Sequence, residues 1–228
     1  MGALALAVGL PAAYLLVCEK PGIVVRAEPT PWGRICRTPV FWLLITAVLL
    51  VNIPGAGILG QLQPILIDGG LARGQAAAML SIYAGAVFAG RLGFGFLLDR
   101  IEPTWAAAFA FAAPSVGAML LIDGNVTAGE AGLVAALLGL SAGAELDIMG
   151  FFVARFFGLR HYSALFGTMI TALVIANASG NILYGRAFDA TGSYSSALML
   201  SIGGYLVGAL AMILVGRIAP APLEGDSP

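Results

Sequence analysis

The chain has 228 residues, of which 60% are hydrophobic and 10% are charged, and its formal net charge is −1. A soluble domain of this length would need far more charge, so the composition indicates a polytopic helical membrane protein. The 11 Lys and Arg residues are dispersed along the chain, which excludes a nucleic-acid-binding surface.

Apolar runs divide the chain, and a run of about 20 such residues is enough to span a bilayer as a helix. The seven runs cover residues 1–17, 40–66, 74–98, 104–122, 129–153, 163–185 and 194–216. No basic residue precedes the apolar part of the first run and no clear small-residue cleavage site follows it, so we expect a spanning helix rather than a signal peptide. The sequence therefore predicts an all-α protein with about seven transmembrane helices.

The predicted organisation is one helix (1–17), a cytoplasmic linker (18–38), a block of six helices (39–217) and a cytoplasmic tail (218–228). The linker is rich in proline and basic residues. Cys18 and Cys36 lie near or within it, and His161 is the single histidine of the chain. With no second pair of ligands, we expect two free thiols, no metal site and no cofactor.

Basic loop residues set the expected orientation, because Lys and Arg are retained on the cytoplasmic side. Alternate loops place eight of them on one side and two on the other: Lys20, Arg26, Arg34, Arg37, Arg100, Arg155, Arg160 and Arg217 against Arg73 and Arg186. We therefore expect an integral protein of the cell membrane, with its amino terminus outside and its carboxyl terminus in the cytoplasm.

The six-helix block contains an internal repeat at an offset of 90 residues. The matched positions are Gly90 with Gly180, Gly95 with Gly185, Asp99 with Asp189 and Ser81 with Thr171. Each copy closes the second helix of a three-helix group. Because three is an odd number, the two copies run in opposite directions across the bilayer, which predicts nested 3+3 inverted repeats of the kind found in transporters.

Residues 95–100 (GFLLDR) resemble the G-x-x-x-D-R loop motif between the eighth and ninth helices of major facilitator superfamily transporters. Residues 143–147 (GAELD), 155–160 (RFFGLR) and 185–194 (GRAFDATGSY) are similar to later connections of the branch that includes monocarboxylate transporters and oxalate/formate antiporters. The resemblance covers residues 39–216 and makes them the carboxyl-terminal half of such a carrier. It implies alternating access and a missing partner, either an amino-terminal half or a second copy.

Arg91 is the main candidate for substrate contact. It precedes Asp99 by eight residues and so lies about 12 Å deeper than the cytoplasmic loop, where charged groups are functional candidates. The resemblance implies that an arginine here holds the substrate carboxylate, which a guanidinium binds in bidentate fashion. Tyr83 falls within about 80° of the same helix face and adds a hydroxyl donor. The alternative is that Arg91 only pairs with Glu145 or Asp147 to close a gate.

Gating or coupling is expected of seven residues: Gly90, Gly95, Asp99, Arg100, Glu145, Asp147 and Arg155. Asp99 and Arg100 would act as a latch at a helix end. Glu145 and Asp147 are about 200° apart on their helix and cannot face the same way. A buried carboxylate here could carry a proton coupled to anion uptake, whereas one paired with an arginine stays ionised and acts as a lock.

Uncharged polar side chains complete the predicted binding site: Asn52, Gln61, Asn177 and Asn181. For any one of them, hydrogen bonding between helices is the alternative. Residues 163–185 contain no Lys or Arg. The oxalate-type antiporters use a second cation on the corresponding helix to hold a dianion, so the resemblance favours a monoanion here.

Other classes of function fit the sequence less well. It has no Ser–His pair, paired aspartates or H-E-x-x-H inside a helix, and no glycine loop with a lysine that could bind ATP. We therefore expect no enzyme but a secondary transporter of a small organic anion, a symporter or antiporter, with a proton as the candidate coupling ion. The alternative is a non-transporting membrane scaffold or a degenerate transporter fragment.

Overall fold

The computed structural model describes residues 30–98 and 100–218, and within them the chain is helical without β-strands. After one helical turn, Trp32–Ile35, come six long helices: α1 Pro39–Asp68, α2 Arg73–Leu98, α3 Pro103–Ile122, α4 Ala128–Phe157, α5 Tyr162–Thr191 and α6 Ser195–Ile218. A 3₁₀ turn, Leu159–His161, precedes α5. All six are long and apolar enough to cross a membrane. The predicted helix 1–17, most of the linker, Asp99 and the tail from residue 219 lie outside the described residues.

The predicted spans agree with α1, α2, α3 and α6 to within two residues, but α4 and α5 are longer than predicted. They end at Phe157 and Thr191, so Arg155 and Arg186 lie within helices rather than in loops. The apolar count stops at the first charge, whereas a helix can continue past the hydrocarbon region with its charged side chains at the interface. The end of α5 is marked instead by Gly192, whose φ of +69° suits a glycine.

Local sequence also explains where helices begin. Pro39 and Pro103 stand at the start of α1 and α3, where a missing backbone N–H costs no helical hydrogen bond. A capping box starts α4: the Thr127 hydroxyl accepts from the Glu130 N–H at 3.3 Å, and the Glu130 carboxylate accepts from the Thr127 N–H at 2.8 Å.

Packing mostly joins helices that are not consecutive in the chain. The main contacts of α2 are with α4, those of α1 with α5 and α6, and those of α3 with α6 and α4. Glycines allow the closest approaches. A Cβ atom at Gly90 of α2 would lie 2.5 Å from the carbonyl oxygen of Leu140 in α4, and one at Gly180 of α5 would collide with the carbonyl oxygen of Ile53 in α1.

Loops gather at two ends of the bundle, as alternate crossings require. At one end, the connections α1/α2, α3/α4 and α5/α6 meet: the Val126 N–H donates to the Gly69 carbonyl at 3.2 Å, and Ser193 lines a small pocket with Gly69. At the other end, Arg34 of the short helical turn and His161 of the α4/α5 connection line a common pocket.

The helices differ in how far the bundle covers them. In the 18-residue apolar stretch of α2 only 11% of the residues are buried, and in that of α5 28% are buried, against 44–56% in the other four. Large faces of α2 and α5 are therefore free of contact within the described part of the chain.

Candidate functional site

A cavity of about 440 Å³ lies in the middle of the bundle, and all six helices contribute to its wall. This volume is in the range of small-molecule sites, roughly 300–1,000 Å³. Apolar side chains such as Leu59, Leu138 and Leu173 make up much of the wall. Its polar groups are Asn52, Tyr83, Ser141, Glu145, Asn177, Asn181 and Tyr205.

The cavity lies at the mid-depth of the helices. Asn52, Tyr83, Glu145, Asn177 and Tyr205 are each within three residues of the middle of their own helix. At 1.5 Å per residue, each is then within about 5 Å of the midpoint of a helix long enough to span the bilayer. In a bilayer, these polar groups would therefore lie at the depth of the hydrocarbon core, where a side chain not covered by protein would contact lipid.

Glu145 of α4 is the charged residue among the lining residues that the structure describes. It is buried, with 6% of its surface exposed. The side-chain amide of Asn52 on α1 donates a hydrogen bond to its carboxylate and another to the Val48 carbonyl at 2.8 Å. The carboxylate is therefore held by an amide, which leaves it able to take up a proton or to meet a ligand in the cavity.

Tyr205 of α6 is the cavity residue with the most unusual environment. Its side chain is 1% exposed, and its hydroxyl has no hydrogen-bond partner among the described residues. A Cβ atom at Gly55, another lining residue, would lie 3.6 Å from that hydroxyl. The unpaired hydroxyl of Tyr205 thus lies beside Gly55 of the cavity wall.

Four of the six predicted binding residues line this cavity: Asn52, Tyr83, Asn177 and Asn181. The Asn181 side-chain amide donates to the Asn177 carbonyl at 2.9 Å, one helical turn earlier. Asn181 and the lining residue Gly60 are exposed, which places an opening of the cavity beside α1 and α5.

Two predicted binding residues do not line the cavity. Gln61 of α1 accepts a hydrogen bond from the Tyr194 hydroxyl at 3.1 Å, near the α5/α6 connection. Arg91 is exposed on α2, two helical turns from Tyr83 towards the end where α2 meets α3. The rotation between the two residues, which the sequence gives as about 80°, is enough to put one in the wall and the other outside it. Their roles in binding stay predictions.

The predicted gating residues are dispersed. Glu145 lines the cavity, Asp147 is half-buried outside it, Gly90 lies at the α2/α4 crossing, and Gly95 faces open space. The guanidinium groups of Arg100 and Arg155 lie 4.4 Å and 5.8 Å from the ring centroids of Phe96 and Phe151.

Neither Arg100 nor Arg155, nor Arg91, forms an ion pair with Glu145 or Asp147 in the described part of the chain. The ion pairs expected for the arginine lock are therefore not formed among the described residues, and the lock stays a prediction. Asp99, the acidic member of the predicted latch, lies outside the described residues.

Sequence reasoning missed Tyr205 and Ser141 as cavity residues. Tyr205 lies in a largely apolar stretch of α6, where the pattern of residues does not indicate an inward face. Ser141 of α4 is followed by Glu145 and Asp147, which stand on different faces of the helix, so the pattern again leaves the inward face open. The available signal was position: Tyr205 is the lone tyrosine of α6 and lies near its middle.

No known protein-family profile matches the chain. The chain is similar to a protein of Thermoproteus tenax described as "Uncharacterized 38 kDa protein in 23S RNA operon", with 26% identity over 186 residues. These residues are 82% of this chain and 47% of that protein, so the chain spans less than half of this relative. This description gives a genomic position and no activity.

Proposed function

We propose that the chain is part of a secondary active transporter, which carries a small organic anion across the membrane by alternating access and performs no catalytic step. The observation that carries the proposal is the polar cavity at mid-depth, walled by six helices that are each able to span a bilayer. Buried carboxylates and amides are costly at that depth and are typical of pathways for solutes and protons. Secondary transporters place their binding sites at this level.

The packing of the helices supports an inverted 3+3 repeat. The main contacts form five pairs of helices. The pair α2/α4 corresponds to α5/α1, the pair α3/α4 corresponds to α6/α1, and the pair α3/α6 corresponds to itself. Exchanging α1, α2 and α3 for α4, α5 and α6 leaves this set of pairs unchanged. Gly90 and Gly180, which are 90 residues apart, each allow a close crossing, α2 with α4 in one case and α5 with α1 in the other.

A partner on the uncovered faces of α2 and α5 is part of the proposal. These helices hold equivalent places in the two groups of three, and Arg91 is exposed on α2. An arginine at such depth is costly against lipid. We therefore expect protein or a water-filled path beside Arg91. The relative, of which this chain matches 47%, is long enough to supply a second bundle, and a second copy of this chain is the other candidate.

We propose that Arg91 contacts the anion as it passes between the cavity and the α2/α3 end of the bundle. Most basic residues of the described chain lie at this end, including Arg34, Arg100 and Arg160. This distribution supports a cytoplasmic position for that end in the cell membrane. Glu145 is the proposed carrier of a coupled proton.

The test is uptake of radiolabelled small monocarboxylates into proteoliposomes that contain only this chain, with and without an imposed proton gradient. Saturable uptake that an inward gradient accelerates is the expected result for a carrier assembled from two copies. If well-folded protein gives no uptake, while co-expression with the remaining half of a full-length homologue restores it, the missing half supplies the partner. Absence of uptake in both preparations favours the scaffold alternative.

A further inference from the structure

We propose that the Tyr205 hydroxyl is a ligand-binding group, which donates a hydrogen bond to an acceptor oxygen of the solute inside the cavity. The inference rests on the proposed function, and it assigns to α6 a role in binding that the sequence did not predict. The ligand chemistry that fits is a carboxylate or a carbonyl oxygen presented next to the Glu145–Asn52 pair.

The first argument is the unpaired state of this hydroxyl. Tyr205 is 1% exposed, and its oxygen has no partner among the described residues. Buried polar groups in proteins are almost always hydrogen-bonded, because an unmade bond leaves the cost of desolvation uncompensated. The donor belongs to a residue in the wall of a cavity of about 440 Å³ and has almost no accessible surface in this conformation, so a molecule in that cavity can pair with it once the adjoining wall moves slightly.

The second argument is the contrast with Tyr184 of α5. This tyrosine is also buried, but its hydroxyl lies 2.6 Å from the Ser201 Oγ, and it is not part of the cavity wall. Its ring packs against Gly57 of α1. The same side chain is thus satisfied within the protein in one place and left unsatisfied where the cavity begins.

The third argument is the chemistry of the neighbouring groups. Asn177 and Asn181 bring amides to the same cavity, while the Glu145 carboxylate is already approached by the amide of Asn52. A ligand oxygen can accept from Tyr205, and a second ligand oxygen can meet Glu145 if Glu145 or the ligand carries a proton. A ligand that offers only a cationic donor could pair with Glu145 and could donate to the Tyr205 oxygen, but it would leave the O–H of Tyr205 without an acceptor.

The experiment measures equilibrium binding of radiolabelled lactate to the 228-residue chain in lipid nanodiscs. Lactamide and 1-amino-2-propanol, a neutral and a cationic analogue of similar size, are tested both as unlabelled competitors and, in radiolabelled form, for direct binding. The variant is Tyr205→Phe, and the matched control is Tyr184→Phe. Thermal unfolding of each preparation is followed in parallel.

We expect Tyr205→Phe to bind lactate about tenfold more weakly, as for the loss of one hydrogen bond to a charged group, with a midpoint of unfolding equal to or above that of the wild type. Tyr184→Phe should bind normally and unfold at a lower temperature, because it loses a bond made within the protein. Competition by lactamide as strong as that by lactate would indicate that a carbonyl oxygen is sufficient.

Equal binding by Tyr205→Phe and the wild type would overturn the role of Tyr205 while leaving the transport proposal in place. Binding of the amine alone, whether or not Tyr205 is present, would overturn the inferred ligand chemistry. Absence of wild-type binding for all three compounds would overturn both the inference and the proposed substrate class, although uptake of an unrelated solute would still support a transporter.

Discussion

The side chain of Asn52 on α1 donates a hydrogen bond to the carboxylate of Glu145 on α4, across 93 residues of sequence. These two helices have few other contacts with each other, since α1 packs on α5 and α6 and α4 packs on α2 and α3. The bond therefore links the first helices of the two proposed three-helix groups at the cavity wall. A change in the protonation of Glu145 acts directly on this link.

Replacing the acid by its amide tests whether Glu145 couples protons to transport. In Glu145→Gln we expect exchange of anions to persist, because the side-chain oxygen can still accept from Asn52, but the response to a pH gradient should be lost. The measurement is uptake into proteoliposomes with and without a proton gradient. Asp147→Asn, which changes a half-buried residue outside the cavity wall, is the control and should retain the response. A normal response in Glu145→Gln would limit Glu145 to a structural link.

A conservative change at Arg91 tests its contact with the substrate. Arg91→Lys should weaken binding of a monocarboxylate by about 1–3 kcal/mol, because an ammonium group replaces the bidentate guanidinium with a point charge. Arg100→Lys is the matched control, since Arg100 lies over the Phe96 ring at the end of α2 and is not expected to contact the solute. Titration of each variant with radiolabelled lactate supplies the affinities. Unchanged affinity in a folded Arg91→Lys variant would leave this arginine without a role in binding.

Within each copy of the predicted repeat, the two glycines are expected to differ in how substitution by alanine changes stability. Gly90→Ala should lower the stability of the bundle by about 1–3 kcal/mol, because its Cβ would lie 2.5 Å from the Leu140 carbonyl oxygen. Gly95→Ala meets nothing within 4 Å and should stabilise α2 by about 0.5–1 kcal/mol, as replacing glycine in a helix does.

The second copy repeats this contrast and serves as an independent check. A Cβ at Gly180 would collide with the Ile53 carbonyl oxygen, whereas one at Gly185 meets nothing within 4 Å. Denaturation of the purified variants in mild detergent measures all four changes. If Gly90→Ala and Gly95→Ala were equally stable, the glycine at the α2/α4 crossing would not be required for its close approach.

The sequence predicted the number, order and approximate limits of the six described helices, because length and polarity are strongly constrained for segments that cross a bilayer. Four of the six proposed binding residues do share one cavity, since an isolated amide or hydroxyl in an apolar helix is usually turned inwards. The position of Glu145 in the cavity wall was harder to predict from the sequence, because Asp147, two residues later, carries the same chemical group on another face of the helix.

Rotation about the helix axis is the quantity that the sequence determined least well. A helix that is apolar on every side has no marked inward face, so neither the burial of Tyr205 nor the exposure of Arg91 follows from the pattern of residues. Pairing between distant helices decides both, and glycine crossings such as the one at Gly90 set that pairing. The same reasoning explains why Gln61, the residue after Gly60 of the cavity wall, bonds to Tyr194 instead of lining the wall.

The orientation in the membrane can be tested through one exposed thiol. Cys36 is a free, exposed cysteine at the end of the bundle that carries most of the basic residues. In intact cells that express the Cys18→Ser variant, a membrane-impermeant maleimide should leave Cys36 unlabelled until the membrane is permeabilised, because positively charged loops stay in the cytoplasm. As a control for access, Ser193→Cys in a Cys18→Ser, Cys36→Ser background places a thiol in an exposed position at the opposite end and should react without permeabilisation. Labelling of Cys36 but not of the thiol at position 193 in intact cells would reverse the orientation, and with it the side of the membrane on which we propose that Arg91 meets the solute.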